Sequence, residues 1–118
     1  MDVQPAPLRV LFICRQNRRR SATAERIFAK DPTLEVRSAG TARDALVPVN
    51  GRMLEWADVI FTMDGDQKRS LEHHFPDHAA LQRVICLEIP DHYLFLDPEL
   101  VSLLEDRASR HLDKLRGS

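Results

Sequence analysis

One run constrains this chain more than any other: Leu8-Arg9-Val10-Leu11-Phe12-Ile13-Cys14, five further residues, then Arg20-Ser21. Leu8 to Ile13 is apolar at every position but Arg9, the pattern of a strand buried on both faces of a parallel sheet. Ser21 to Lys30 follows with Ala24, Ile27 and Phe28 on one side of a helix. A buried strand, a short loop and a helix aim the loop's N–H groups and the helix N-terminus at one point. Such a point holds a phosphate-like anion. A thiol at its mouth, beside a helix dipole and a guanidinium, is favoured as the thiolate. The run predicts covalent phosphoryl chemistry on Cys14.

The rest of the chain keeps alternating apolar and amphipathic stretches. Asp31-Pro32 ends the first helix, because proline cannot continue the hydrogen-bond ladder. Leu34 to Arg37 reads as a second strand, closed by Ser38-Ala39-Gly40-Thr41. Asn50 to Ala57 reads as a short helix with Met53, Leu54 and Trp56 turned inward, and Val59 to Met63 as a third strand. Gly65 to Phe75 is a polar helix, and Val84 to Ile89 a fourth strand. Asp97-Pro98-Glu99 opens a last helix that runs to about Leu115, with Asp97 as cap and Pro98 at the first helical position. This order predicts an α/β three-layer sandwich, a parallel sheet with right-handed crossovers. Sites on such folds lie at the carboxyl ends of the strands. Cys14, Ser38, Met63-Asp64 and Asp91 all fall there.

A chain of 118 residues predicts one domain over 1–118, with 1–7 as a short tail. The formal net charge of −1 gives no reason to expect nucleic-acid or membrane binding. No apolar run approaches the roughly 20 residues of a membrane span, and Met1 to Pro7 lacks the basic cluster of a signal peptide. Two cysteines make no disulfide framework, so a reduced, cytoplasmic setting is expected. His73, His74 and His78 surround a helix-interrupting Pro76 without a completing cysteine or carboxylate set, so neither metal nor cofactor is expected.

Several motifs in order resemble the low-molecular-weight protein tyrosine phosphatase family. Cys14 to Ser21 resembles its Cys-x-x-Asn-x-x-Arg-Ser loop, and Thr23-Ala24-Glu25 continues it. Ser38-Ala39-Gly40-Thr41 resembles the family's Ser-Ala-Gly-Thr, and Ala57 to Asp64 its Ala-Asp-x-Ile-x-x-Met-Asp. The resemblance implies a four-stranded parallel sheet of order 2-1-3-4 with helices on both faces. It implies a phosphatase acting through phosphocysteine on an aryl phosphate or phosphotyrosine, with inorganic phosphate or sulfate able to occupy the loop.

Cys14 is then the nucleophile and Arg20 the fork that grips phosphoryl oxygens. The resemblance makes Ser21 the hydroxyl that steadies the thiolate, and Asn17 the loop brace with Ser38 as partner. Arg15, Gln16, Arg18 and Arg19 complete the loop, the arginines as a solvated rim. A general acid must lie downstream of Cys14. Ile89-Pro90-Asp91-His92-Tyr93 stands where the family carries its Asp-Pro, which favours Asp91; Asp97-Pro98 matches the dipeptide but also suits a helix start. Tyr93 and Phe95 are candidates for an apolar wall.

Three departures bear on the substrate. Only Ala42 to Trp56 separates the second strand from the third, so a shallower pocket is expected. Gln16 stands where glycine is common, and Arg19 replaces a second loop cysteine. Two other readings stay open: an arsenate reductase-like thiol enzyme, and a phosphate- or phosphoprotein-binding module without turnover. The first needs a thiol partner, and the only other cysteine is Cys86, in the fourth strand.

Overall fold

A computed structural model describes residues 5–116 of the chain. The first four residues of the expected tail lie outside the described residues, and residues 5–7 are exposed and irregular. The elements are β1 (Leu8–Cys14), α1 (Arg20–Phe28), β2 (Leu34–Gly40), α2 (Gly51–Trp56), β3 (Val59–Thr62), α3 (Gly65–His74), β4 (Val84–Cys86) and α4 (Pro98–Leu115). All strand pairs are parallel and the order is β2-β1-β3-β4, as expected.

The central strand explains its own composition. Val10, Phe12 and Cys14 face the layer of α1 and α4, while Leu11 and Ile13 face that of α2 and α3. Phe12 stacks between Phe28 and Phe61, with ring centroids 5.5 and 5.3 Å away. Burying each ring stabilises the fold by about 1.5–3 kcal/mol. Leu100, Leu104, Ala108 and Leu112 recur every fourth residue and close the same core from α4. Asp97 accepts a hydrogen bond from the Glu99 N–H at 2.9 Å, so it caps α4, with Pro98 in the first turn.

Most element ends shift by a residue or two, and three departures from the sequence reading are larger. β2 continues through Ser38-Ala39-Gly40, because it pairs with β1 all the way to Cys14↔Gly40. Pairing with a buried neighbour there outweighs the turn preference of small residues. β4 stops at Cys86, since Glu88 has φ +57° and breaks the ladder. Leu87 and Ile89 still donate to the Thr62 and Met63 carbonyls, at 2.9 and 2.7 Å. Ala79–Arg83 forms a 3₁₀ helix that periodicity did not signal, capped by the His78 ring nitrogen, which accepts from the Ala80 N–H.

On α2 only Leu54 is fully buried. Met53 and Trp56 are half-buried, because six residues make too few turns to present three positions to one core. Arg37 lies over the Trp56 ring at 4.3 Å. Among the described residues no helix is long and apolar enough to cross a membrane, and no three His, Cys, Asp or Glu side chains group to hold a metal ion.

Candidate active site

The loop between β1 and α1 is held from behind. The carbonyls of Cys14, Arg15 and Gln16 accept hydrogen bonds from the N–H groups of Thr41, Ala42 and Leu46, at 3.0, 2.9 and 3.0 Å. With its carbonyls turned to that strap, the loop presents its N–H groups on the other side. Asn17 takes φ +59°, the left-handed turn asparagine tolerates. The N-cap residue of α1, Arg19, makes no side-chain capping bond, so the first helical N–H groups also open to the loop.

Gly40 makes this strap possible. A Cβ at Gly40 would stand 2.5 Å from the Arg15 carbonyl oxygen and 2.6 Å from the Ala45 Cβ. Both are closer than packed atoms tolerate. Gly40→Ala is expected to lower stability by about 1–3 kcal/mol and to cut phosphate affinity, because the Arg15 carbonyl must move. Thermal unfolding with and without phosphate measures both effects; a variant that keeps both would show the strap to be dispensable.

A directional chain of hydrogen bonds ends on Cys14. The Asn17 side-chain amide donates to Ser38 Oγ at 2.9 Å and to Ser21 Oγ at 2.8 Å. Ser38 in turn donates to Glu25. The Ser21 hydroxyl stands 3.0 Å from the sulfur and 3.4 Å from the Ala39 carbonyl; a thiolate can only accept, so toward a thiolate Ser21 is the donor. The Asn17 N–H reaches the same sulfur at 3.2 Å. Two hydrogen-bonding groups thus face the Cys14 sulfur, and all of these side chains but Glu25 are buried.

Arg20 is 2% exposed. Its Nη1 donates to Asp64 and to the Ile89 carbonyl, each at 2.8 Å. Its Nε has no hydrogen-bond partner among the described residues; the Asp91 carboxylate stands 3.5 Å away. Asp64 also accepts from the Asp66 N–H at 2.9 Å while its own N–H donates to Gln67, a capping box on α3. Burial pushes the Asp64 carboxyl up, but the Arg20 guanidinium and the Asp66 N–H outweigh it and hold it below the usual carboxylate range.

Cys14, Arg15, Gln16, Arg18, Arg19, Arg20 and Asp91 line one cleft of about 170 Å³. That is below the roughly 300–1,000 Å³ of typical small-molecule sites, so the cleft itself suits a phosphoryl group; a wider hollow of about 560 Å³, with Thr41, Asp44 and Asp64 in its lining, shares Arg15, Arg20 and Asp91 with it. Asp91 reaches the cleft because the kink at Glu88 and the Ile89 contact with Arg20 carry the chain over the loop. Asp97 lies outside the cleft lining and serves α4.

Tyr93 is not on the cleft wall: it is buried in the core with Leu87, Ile89 and Leu100, since the wide face of α4 takes its ring. Phe95 is exposed and also outside the lining. Among the described residues no aromatic side chain lines the cleft. Cys86 is half-buried on β4, with Thr62 of β3 between it and Ile13 of β1. Two strand spacings put β4 about 9–10 Å from β1, past the ~7 Å Cα separation a disulfide allows.

Sequence reading put Asp64 on the rim of strand ends without a partner, and gave no role to Glu25 or the Ile89 carbonyl. Asp64-x-x-Gln67 is a legible capping signal, but its second duty on Arg20 has none.

No protein-family model and no curated protein matches the chain by sequence. Solved structures match it closely in shape. The tyrosine phosphatase Wzb from Escherichia coli K30, in complex with phosphate, superposes with a TM-score of 0.75 at 22% identity, covering 91% of this chain and 97% of its own. SP-PTP, a low molecular weight protein tyrosine phosphatase from Streptococcus pyogenes, gives 0.76 at 17%, covering 92% and 93%. The YwlE arginine phosphatase from Geobacillus stearothermophilus gives 0.69 at 21%, covering 95% and 98%. This chain has the fold of the low molecular weight tyrosine phosphatases.

Proposed function

We propose that the chain is a cysteine-dependent phosphomonoester hydrolase acting on aryl phosphates, protein phosphotyrosine among them. The observation that carries this reading is the sulfur of Cys14, held by Ser21 and Asn17 in one cleft with the buried Arg20. Loop N–H groups and the Arg20 fork bind the phosphoryl oxygens. The thiolate attacks phosphorus, the bond from phosphorus to the ester oxygen breaks, and Asp91 gives its proton to the departing oxygen. Water then attacks the phosphocysteine as the Asp91 carboxylate takes up its proton. The sulfur–phosphorus bond breaks, phosphate leaves, and the Ser21 hydroxyl receives the returning thiolate. The rim arginines Arg15, Arg18 and Arg19 draw dianions in. They disfavour a phosphoarginine, whose guanidinium would stand among like charges.

The test compares Asp91→Asn with Asp97→Asn. Asp91→Asn is expected to slow phenyl phosphate hydrolysis by about 10²-fold or more, and nitrophenyl phosphate less, because a better leaving group needs less protonation. Asp97→Asn should keep full activity, since asparagine caps a helix as well as aspartate. Tight phosphate binding with no hydrolysis by the unaltered chain would sink the enzyme reading in favour of a binding module.

A further inference from the structure

Leu94, Phe95 and Leu96 are consecutive, and are 65%, 45% and 38% exposed. Chains of this size rarely display three large apolar side chains in a row to solvent without a use for them. The segment is held rather than loose. The Asp97 N–H donates to the Leu94 carbonyl at 3.1 Å, closing a turn. The Leu96 N–H donates to the buried Thr23 hydroxyl on α1 at 3.0 Å. Leu96 has φ +63°, a left-handed conformation that a leucine adopts only where its surroundings impose it.

The turn lies outside the cleft lining but is joined to two of its walls. It begins three residues after Asp91, which lines the cleft, and it is tied to the first turn of α1, just past Arg20. Arg18 and Arg19 are exposed at the same end of α1 and line the cleft. The cleft is small, so a phosphoprotein lays its flanking residues on the surface around it: a hollow walled by Thr41, Asp44 and Asp64 opens on one side, and the Leu94–Leu96 turn lies beyond Asp91 and the first turn of α1.

We propose that the Leu94–Leu96 turn, together with Arg18 and Arg19, docks the segment flanking the phosphorylated residue of a protein substrate, and that this segment carries an apolar and an acidic side chain. The inference rests on the phosphatase reading. The occupant follows from charge and continuity: cations on the rim complement carboxylates, and the apolar turn complements an apolar neighbour of the phosphoresidue.

The experiment measures kcat and KM for nitrophenyl phosphate and for two phosphotyrosine peptides of equal length, one with acidic and apolar flanks and one with Gly-Ser flanks. The unaltered chain is expected to prefer the first peptide. Leu94→Ser and Leu96→Gly should raise KM for that peptide by about tenfold, and leave the Gly-Ser peptide and nitrophenyl phosphate unchanged. Leu96→Gly also relieves the left-handed backbone, so its Tm should not fall, which separates lost docking from lost folding. Equal use of both peptides, or no change in either variant, would overturn the proposal. So would a change in sedimentation mass in Leu94→Ser, which would mean the turn pairs two copies of this chain. If the unaltered chain hydrolyses none of these substrates, the phosphatase reading fails, and fluorescence anisotropy of the labelled peptides still decides docking: binding weakened by Leu94→Ser supports it, and unaltered binding overturns it.

Discussion

Cys14→Ser is expected to lower aryl phosphate hydrolysis by on the order of 10³-fold or more while leaving phosphate binding in place. The neighbours of this position decide the size of the effect. The sulfur is met by the Ser21 hydroxyl at 3.0 Å and the Asn17 N–H at 3.2 Å. Both are donors. A site made of donors favours an anionic nucleophile, and a thiol ionises far more readily than a hydroxyl. A serine hydroxyl stays protonated near neutral pH and needs an adjacent base, and among the described residues no carboxylate or imidazole is hydrogen-bonded to the sulfur. The loop N–H groups and Arg20, to which the proposed mechanism gives the phosphoryl oxygens, are left alone by the substitution. Steady-state hydrolysis and calorimetric phosphate titration check the two halves. A serine variant within tenfold of the parent would show that another residue is the nucleophile. Cys86→Ser, on the far side of β3, should be silent in the same assay.

Arg20→Lys comes next, with kcat/KM expected to fall by about 10²–10³-fold, or about 3–4 kcal/mol of transition-state stabilisation. Arg20 divides its donors. Nη1 is committed to Asp64 and to the Ile89 carbonyl, which leaves Nε and the edge of the fork beside it for phosphoryl oxygens. A lysine has one nitrogen and cannot serve Asp64 and the phosphate together in that planar geometry. The substitution also reaches stability. The Asp64 carboxyl titrates below its ordinary value in the folded chain, so its contribution is fully present above the ordinary carboxylate range and is lost as pH falls through the lowered value. With a weaker partner the lowering is smaller, so acid unfolding should begin at a higher pH in the variant. Circular dichroism along an acid titration, run beside the kinetics, measures it. Unchanged kcat/KM in Arg20→Lys would mean that a point charge suffices and that the fork is not used.

Much of the site was legible because it is local. Cys14, Asn17, Arg20 and Ser21 lie within eight consecutive residues, and their spacing already implies a strand, a left-handed turn and a helix N-terminus. The Asp97 cap is local too: an Asp-Pro-Glu run states its own purpose. Other parts join distant residues. Asp64 could be seen ending a strand and capping a helix, yet its grip on Arg20 spans 44 positions and depends on β1 and β3 being neighbours. Tyr93 shows the opposite failure. An aromatic next to the acid loop invites a place on the wall, but ring orientation is decided by which core has room, and α4 took it.

Local chemistry and hydrophobic period, which act over a few residues, were enough to specify the alternating elements, the parallel sheet and the thiol at a loop that opens a helix. What waited on the tertiary structure was everything set by pairing across the sheet. β1 against β2 lengthens the second strand and ties residues 41–46 to the back of the loop, and past the kink at Glu88 it is Asp91, and not Asp97, that shares the cleft lining with Cys14. Those outcomes depend on close approaches between segments far apart in the chain, and side-chain periodicity carries no record of which distant carbonyl or carboxylate will be within reach.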